Sequence, residues 1–284
     1  MRLNAYVLAA DPTWIEAGIG SYYDAVAQII VSYDRNHRGF TGRPVAVDEC
    51  LARLRAIDRD GKMRFVPGDY YHEGIAPMDA ETAQRNAALG IAERDADWVL
   101  QLDPDEVLPD VPALIKMLHW ADEKGIPAVE WPMRVLFQRL GDGRFLEVCS
   151  MDNSQHVEYP GPVAVRAGTR VVSARRTAGP FVRPVLAGGD QSLQVSRPAE
   201  AGETRVEIPK LDSAILHNSW ARSPMNLRAK LASWGHGGTW RMSLYYLLCW
   251  RLAPYRWRWL RDFHPFARGL WPRLRPVEIP FVKA

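Results

Sequence analysis

Within the first 125 residues, apolar runs short enough for strands alternate with stretches of helical periodicity, and three of the runs stop at aspartate. Leu3 to Ala10 ends at Asp11, Gln28 to Tyr33 at Asp34, and Trp98 to Leu102 at Asp103. Between them, Trp14 to Gln28, Val47 to Asp58 and Ala80 to Arg94 place apolar residues three and four apart, as amphipathic helices do. Arg64 to Val66 adds a short strand, and Asp110 stands where it can cap a helix running to Lys124, with Gly125 ending it. This alternation predicts an α/β fold, a mostly parallel sheet flanked by helices. Such sheets bind ligands beyond the carboxyl ends of their strands. Parallel strands would bring Asp11, Asp34 and Asp103 to one edge.

The rhythm changes near residue 126. Ala128 to Phe137 and Val163 to Ala174 read as strands, and Gly, Pro and Arg crowd the stretch from 159 to 205. A strand at Ser213 to Leu216 and a helix from Pro224 to Trp234 follow. The expected organisation is a ligand-binding half over residues 1 to 125, a second half of the same domain over 126 to 238, and a C-terminal helical extension over 239 to 284.

The chain of 284 residues carries a formal charge of only +3, so nothing global calls for nucleic acid as a partner. Cys50, Cys149 and Cys249 lie about a hundred residues apart, which suits neither a disulfide framework nor a zinc site and points to a reducing compartment. The N-terminal apolar run is broken at Asp11-Pro12, unlike a signal peptide, and no stretch nears the roughly 20 apolar residues a membrane span needs. A cytoplasmic location is expected.

The sharpest feature is WVLQLDPDEVLPD, residues 98 to 110, where a buried strand runs into three carboxylates. Pro104 stiffens the turn, and residues two apart at a strand end can aim at one point. Oxygen-loving divalent ions such as Mg²⁺ or Mn²⁺ take one or two carboxylates together with substrate phosphates. A solvated turn that merely ends the strand is the plainer alternative.

WVLQLDPDEVL resembles the strand and D-x-D turn of the GT-A glycosyltransferases of the family-2 type. AQRNAALGIAERDADWVL is similar to that family's preceding helix, and AVAQIIVSYD to its second strand; together the resemblance covers roughly residues 1 to 125. It implies a GT-A-like sheet, with Asp34 on the base or ribose, Arg85 approaching the diphosphate, Asp103 facing ribose and metal, and Asp105 binding the metal. Asp11 takes the place of the family's Asn-Glu in the nucleotide site, and Asp34-Arg35-Asn36-His37 replaces its Asp-x-Ser. ILHNSWARSPMNLRAK, residues 215 to 230, is similar to a later segment in which His217 would join the metal and Arg222 or Lys230 would compensate phosphate charge. His236, in a Gly-rich loop, would close over the phosphates. An inverting transferase also needs a carboxylate base. Asp190 after Gly188-Gly189 is the candidate, with Asp152 and Glu158 as competitors.

Seven of the eleven tryptophans fall at or after Trp220, and residues 240 to 284 carry a net charge of +7. Arg interleaved with Trp and Tyr suits a peripheral membrane contact. It equally suits a tail packed on the domain with Arg stems over aromatic rings.

The main expectation is therefore a transferase that moves a sugar from a nucleoside-diphosphate sugar to a glycan or lipid-linked acceptor, with Mn²⁺ or Mg²⁺ as cofactor. A nucleotidyltransferase that makes sugar nucleotides shares the strand-and-metal logic, although DPTWIEAGIG after the first strand is no glycine- and arginine-rich phosphate loop. A non-catalytic carbohydrate- or lipid-binding module is the third reading.

Overall fold

The computed structural model describes residues 1–208, 210–233 and 240–279; His236 lies outside them. The strands, in chain order, are β1 (Leu3–Leu8), β2 (Ile29–Asp34), β3 (Met63–Gly68), β4 (Trp98–Leu100), β5 (Glu106–Val107), β6 (Ala128–Val129), β7 (Met133–Arg139) and β8 (Phe145–Cys149). They continue as β9 (Ala164–Arg166), β10 (Val171–Ser173), β11 (Arg176–Thr177), β12 (Phe181–Leu186), β13 (Glu203–Ile208), β14 (Ile215–His217) and β15 (Arg273–Val277). The main sheet has the order β13-β12-β6-β9-β4-β1-β2-β3. Among the described strands of this sheet only β9 is antiparallel to its neighbours; β4, β1, β2 and β3 run together. The expected α/β class, a mostly parallel sheet flanked by helices, is the class of the structure.

Helices α1 (Ile15–Tyr22), α2 (Val47–Ile57), α3 (Pro77–Ala92) and α4 (Val111–Glu123) form in the stretches of helical periodicity. However, α1 stops at Tyr22, short of Gln28, and passes into a 3₁₀ turn over Tyr23–Ala25, and α3 starts at Pro77, ahead of Ala80. Asp110 accepts the Ala113 N–H at 3.0 Å and caps α4, and Gly125 ends that helix at φ 67°. Such a cap stabilises by about 1 kcal/mol. The apolar faces of α1, α2 and α4 meet one side of the sheet in a continuous core that includes Ile19, Leu51, Trp98 and Leu118. Ala88, Leu89 and Ala92 of α3 cover the other side with Tyr6 and Val99.

Two expected strands are each divided. Ala128 to Phe137 breaks at Trp131-Pro132, so that β6 joins the main sheet and β7 a second sheet ordered β15-β8-β7-β14-β5. Pro132 has no N–H to continue a ladder, while its carbonyl accepts Ile215 N–H at 2.9 Å and starts the β7–β14 pairing. Val163 to Ala174 breaks at Gly168, whose φ of 89° turns the chain between β9 and β10. The C-terminal segment is also not helical throughout. After α7 (Trp240–Tyr245), a π-helical turn over Tyr246–Trp250 and α8 (Ala253–Arg256), β15 returns to pair with β8; a four-residue α5 (Leu193–Ser196) and α6 (Pro224–Ser233) precede them.

Much of the late tryptophan content is core. Trp220, Trp250 and Trp271 are buried with Phe137 and Phe263, and Trp250 Nε1 donates to the carbonyls of Phe137 and Trp220 at 3.0 Å each. Trp271 Nε1 donates to Glu158. Burial pushes the Glu158 carboxyl up to about 7, with the Trp271 bond offsetting part of the rise. Unfolded, it ionises near 4.5, so the native state holds the extra proton between those values. Stability therefore falls as pH rises through that window. Glu158→Gln keeps an acceptor for Trp271 and removes that slope. Thermal unfolding across the pH range should show the variant gaining on the wild type from about pH 4.5 to 7; parallel curves would contradict the shift.

Candidate functional site

The carboxyl ends of β4, β1 and β2 open into a cleft of about 940 Å³, a size typical of small-molecule sites. Asp11, Asp34, Arg85, Asp103, Asp105 and His217 all line it. Asp190 does not: its carboxylate is held by Tyr159 Oη at 2.5 Å and Ser192 N–H at 2.9 Å, away from this lining. Asp152 and Glu158 are absent from the lining as well.

The turn after β4 is set by its surroundings more than by itself. Glu106 accepts Asp103 N–H at 3.0 Å, closing the turn over Pro104. Helix α1 packs against it at Gly18, where a Cβ would stand 2.3 Å from the Pro104 carbonyl oxygen. On the far side β5 pairs with β14, which puts His217 opposite Glu106 and lets Asn218 N–H reach the Asp105 carbonyl at 2.9 Å. Residues more than a hundred positions apart thus share one strand end.

The two aspartates of the turn have different partners. Asp103 accepts from Arg85 Nη2 at 3.0 and 3.1 Å and from Arg175 Nη2 at 2.7 Å. Burial alone would raise its pKa, but the charges of Arg85 and Arg175 outweigh it and hold the carboxyl below the usual range. Asp105 accepts from Lys230 Nζ at 3.2 Å and from Arg222, with His217 Nε2 3.9 Å away. There too burial is overridden, by Lys230 first and then by Arg222 and His217. Arg222 also reaches Asp11 and thereby ties the end of β1 to the segment after β14. The cations that relieve the repulsion at this turn are supplied by the chain.

Behind the turn, Glu106 is fully buried and meets Arg175 through Nη1 at 3.1 Å and Nη2 at 2.8 Å. Burial pushes Glu106 up to about 7, against the pull of Arg175. Arg175 sits between β10 and β11, after Ala174 at φ 48°. It passes so close to Gly161 that a Cβ there would come 2.9 Å from its Cγ. Arg175 was not among the residues the sequence singled out. Its signal was indirect: a glutamate following two aspartates at a buried strand end needs a cation of its own.

Asp34 is a loop organiser in this arrangement. Its oxygens accept the N–H groups of Asn36 (2.9 Å), Arg38 (3.1 Å) and Tyr70 (3.1 Å), which fixes the loop after β2 along the cleft wall. Arg85 is buried on α3 and also bonds Glu81 one turn earlier at 3.0 Å. Burial lowers His217 to about 4 in spite of Asp105, so the imidazole is neutral at pH 7. Among the described residues no three His, Cys, Asp or Glu side chains converge as a ready metal site.

No protein-family model matches the chain, and no curated protein does. Among solved structures, it is similar to 4-diphosphocytidyl-2C-methyl-D-erythritol synthase from Anaerococcus prevotii at 13% identity and a TM-score of 0.33, covering 58% of this chain and 70% of that one. It is similar to CMP:2-keto-3-deoxy-manno-octonic acid synthetase complexed with CTP at 13% identity and a TM-score of 0.32, covering 59% and 75%. Mannose-1-phosphate geranyltransferase from Thermus thermophilus gives 16% identity and a TM-score of 0.30, and the match spans 60% of this chain and about half, 51%, of that one.

Proposed function

We propose that the cleft binds a nucleoside-diphosphate sugar and that the protein is a glycosyltransferase acting on an acceptor hydroxyl. The observation that carries this is the convergence of Asp34, Arg85, Asp103, Asp105, His217 and Lys230 in one cleft at the carboxyl edge of a parallel sheet. The loop held by Asp34 would take the nucleoside. Arg85 and Lys230 would take the diphosphate, each now occupied by a carboxylate that a phosphate oxygen could replace.

Charge favours a divalent ion alongside that diphosphate. Among the described residues the lining carries six carboxylates against four Arg and Lys side chains; behind it Arg222 and Arg175 add two cations and Glu106 one more carboxyl. An anion entering such a cleft meets no surplus of positive charge. Asp105, with the neutral imidazole of His217 beside it, is the donor pair we assign to Mn²⁺ or Mg²⁺, Asp103 standing next to it and the remaining positions falling to phosphate and water. The ion would stabilise the leaving diphosphate. In the transfer itself the bond from the anomeric carbon to the phosphate oxygen breaks, one to the acceptor oxygen forms, and the hydroxyl proton passes to a base.

A second reading, a nucleotidyltransferase forming a sugar nucleotide, is favoured by one feature: Arg38, Arg85 and Lys230 line the same cleft, cations that the oxygens of a triphosphate could engage. Against it, the loop from Ala9 to Trp14 after β1 contains no glycine to wrap phosphates. One screen separates them. Incubation with nucleotide sugars should release nucleoside diphosphate slowly even without acceptor, and Lys230→Ala should cut the rate by about tenfold or more. Pyrophosphate release from a nucleoside triphosphate and a sugar phosphate, with no attack on nucleotide sugars, would establish the second reading instead.

A further inference from the structure

The segment from Trp240 to Arg261 is apolar on both sides. Met242, Tyr246 and Trp250 turn inward into the aromatic core. On the outer side, Leu244, Leu247 and Leu248 are 46%, 46% and 59% exposed, and Trp240 and Trp259 are 72% and 73% exposed. Residues 240, 244, 247 and 248 follow helical spacing, so this is one face and not scattered exposure. A surface helix ordinarily gives its outer face to polar groups, and a contiguous exposed apolar strip marks an interaction site. Interleaved with it are Arg241, Arg251, Arg256, Arg258 and Arg261, all exposed. Asp262, the acid that follows the segment, is engaged with Gly269 N–H at 2.6 Å.

We propose that this face docks on an anionic lipid surface, independently of what the cleft binds. Charge selects the occupant. A symmetric pairing with a second copy would set five guanidinium groups against the same five, which is repulsive. An anionic membrane interface takes both features together, indole rings and leucines at headgroup depth and arginines against lipid phosphate. No helix among the described residues is long and apolar enough to cross a membrane, so the contact is a peripheral one. Position gives it a use: α6, which lines the cleft through Met225 and Lys230, packs Leu227 and Leu231 into the same core as Tyr246 and Trp250, and Arg228 lies 5.0 Å from the Tyr246 ring. The docking face and one cleft wall are two sides of a single packed unit.

Vesicle flotation of the full chain tests this. The protein should float with phosphatidylcholine vesicles containing phosphatidylglycerol, not with phosphatidylcholine alone, and added salt should release it. Leu247→Ser/Leu248→Ser and Arg251→Glu/Arg256→Glu should each lower the partition coefficient by about tenfold or more while keeping the wild-type unfolding midpoint. Absence of flotation, equal flotation with both vesicles, or a dimer in sedimentation that Leu247→Ser/Leu248→Ser dissociates would each overturn the proposal.

Discussion

Arg175→Ala will destabilise the protein by about 3–5 kcal/mol, the usual cost of removing one member of a buried ion pair. The residue is buried, and its guanidinium is shared between Glu106 and Asp103. Without it, Glu106, which burial already pushes up to about 7, must take up a proton or stand as an unpaired charge in the interior, and Asp103 keeps only Arg85. Denaturant unfolding measures the loss. The double variant Arg175→Met/Glu106→Gln should recover a large part of it, because the charge left behind is then gone. A stability unchanged by Arg175→Ala would mean that the pair is not buried as described. The cleft should also lose nucleotide affinity, since the Asp103 turn is held from behind by this pair.

Gly18→Ala is expected to be the more local and more telling change. The added methyl group would meet the backbone oxygen of Pro104 at 2.3 Å and that of Glu106 at 3.1 Å. A backbone carbonyl cannot rotate aside as a side chain can, so α1 or the Asp103–Glu106 turn must move. Overpacking of this kind costs about 1–3 kcal/mol. Moving the turn by even a few tenths of an ångström alters how Asp103 and Asp105 meet their cations. The variant should fold with a lowered unfolding midpoint and a weakened nucleotide affinity, whereas Gly20→Ala, whose added carbon meets nothing within 4 Å, should do neither. Equal behaviour of the two alanines would show that the packing of α1 on the turn does not matter.

These two sites show what the chain could and could not disclose before it was folded. The edge where Asp11, Asp34 and Asp103 gather was legible because each ends an apolar run, and parallel strands leave no other place for them. Asp105, His217, Arg222 and Lys230 were legible as separate pieces of a resemblance, and the β5–β14 pairing joins them. Arg175 was hidden for a physical reason. It lies in a turn among several arginines, where neither the strand period nor the helix period applies, and what sets it apart from Arg176 is tertiary, its ion pairs with Glu106 and Asp103. The break at Pro132 was visible as a proline in an apolar run; that its two halves enter different sheets depends on Ile215, more than eighty residues away. For Asp190, proximity to Gly188-Gly189 suggested close approach to a substrate, yet in the fold those glycines serve a loop that ends on Tyr159.

In the proposed function, the Asp103–Asp105 turn and the basic side chains around it receive the diphosphate of a nucleotide together with a divalent ion. Isothermal titration calorimetry of nucleoside diphosphates, run with and without Mn²⁺ on the wild type and on Asp105→Ala, tests it most directly. Mn²⁺ should tighten binding of one nucleoside diphosphate by about tenfold or more, and Asp105→Ala should abolish that gain. Binding that is indifferent to the metal, or a gain that persists in Asp105→Ala, would contradict it.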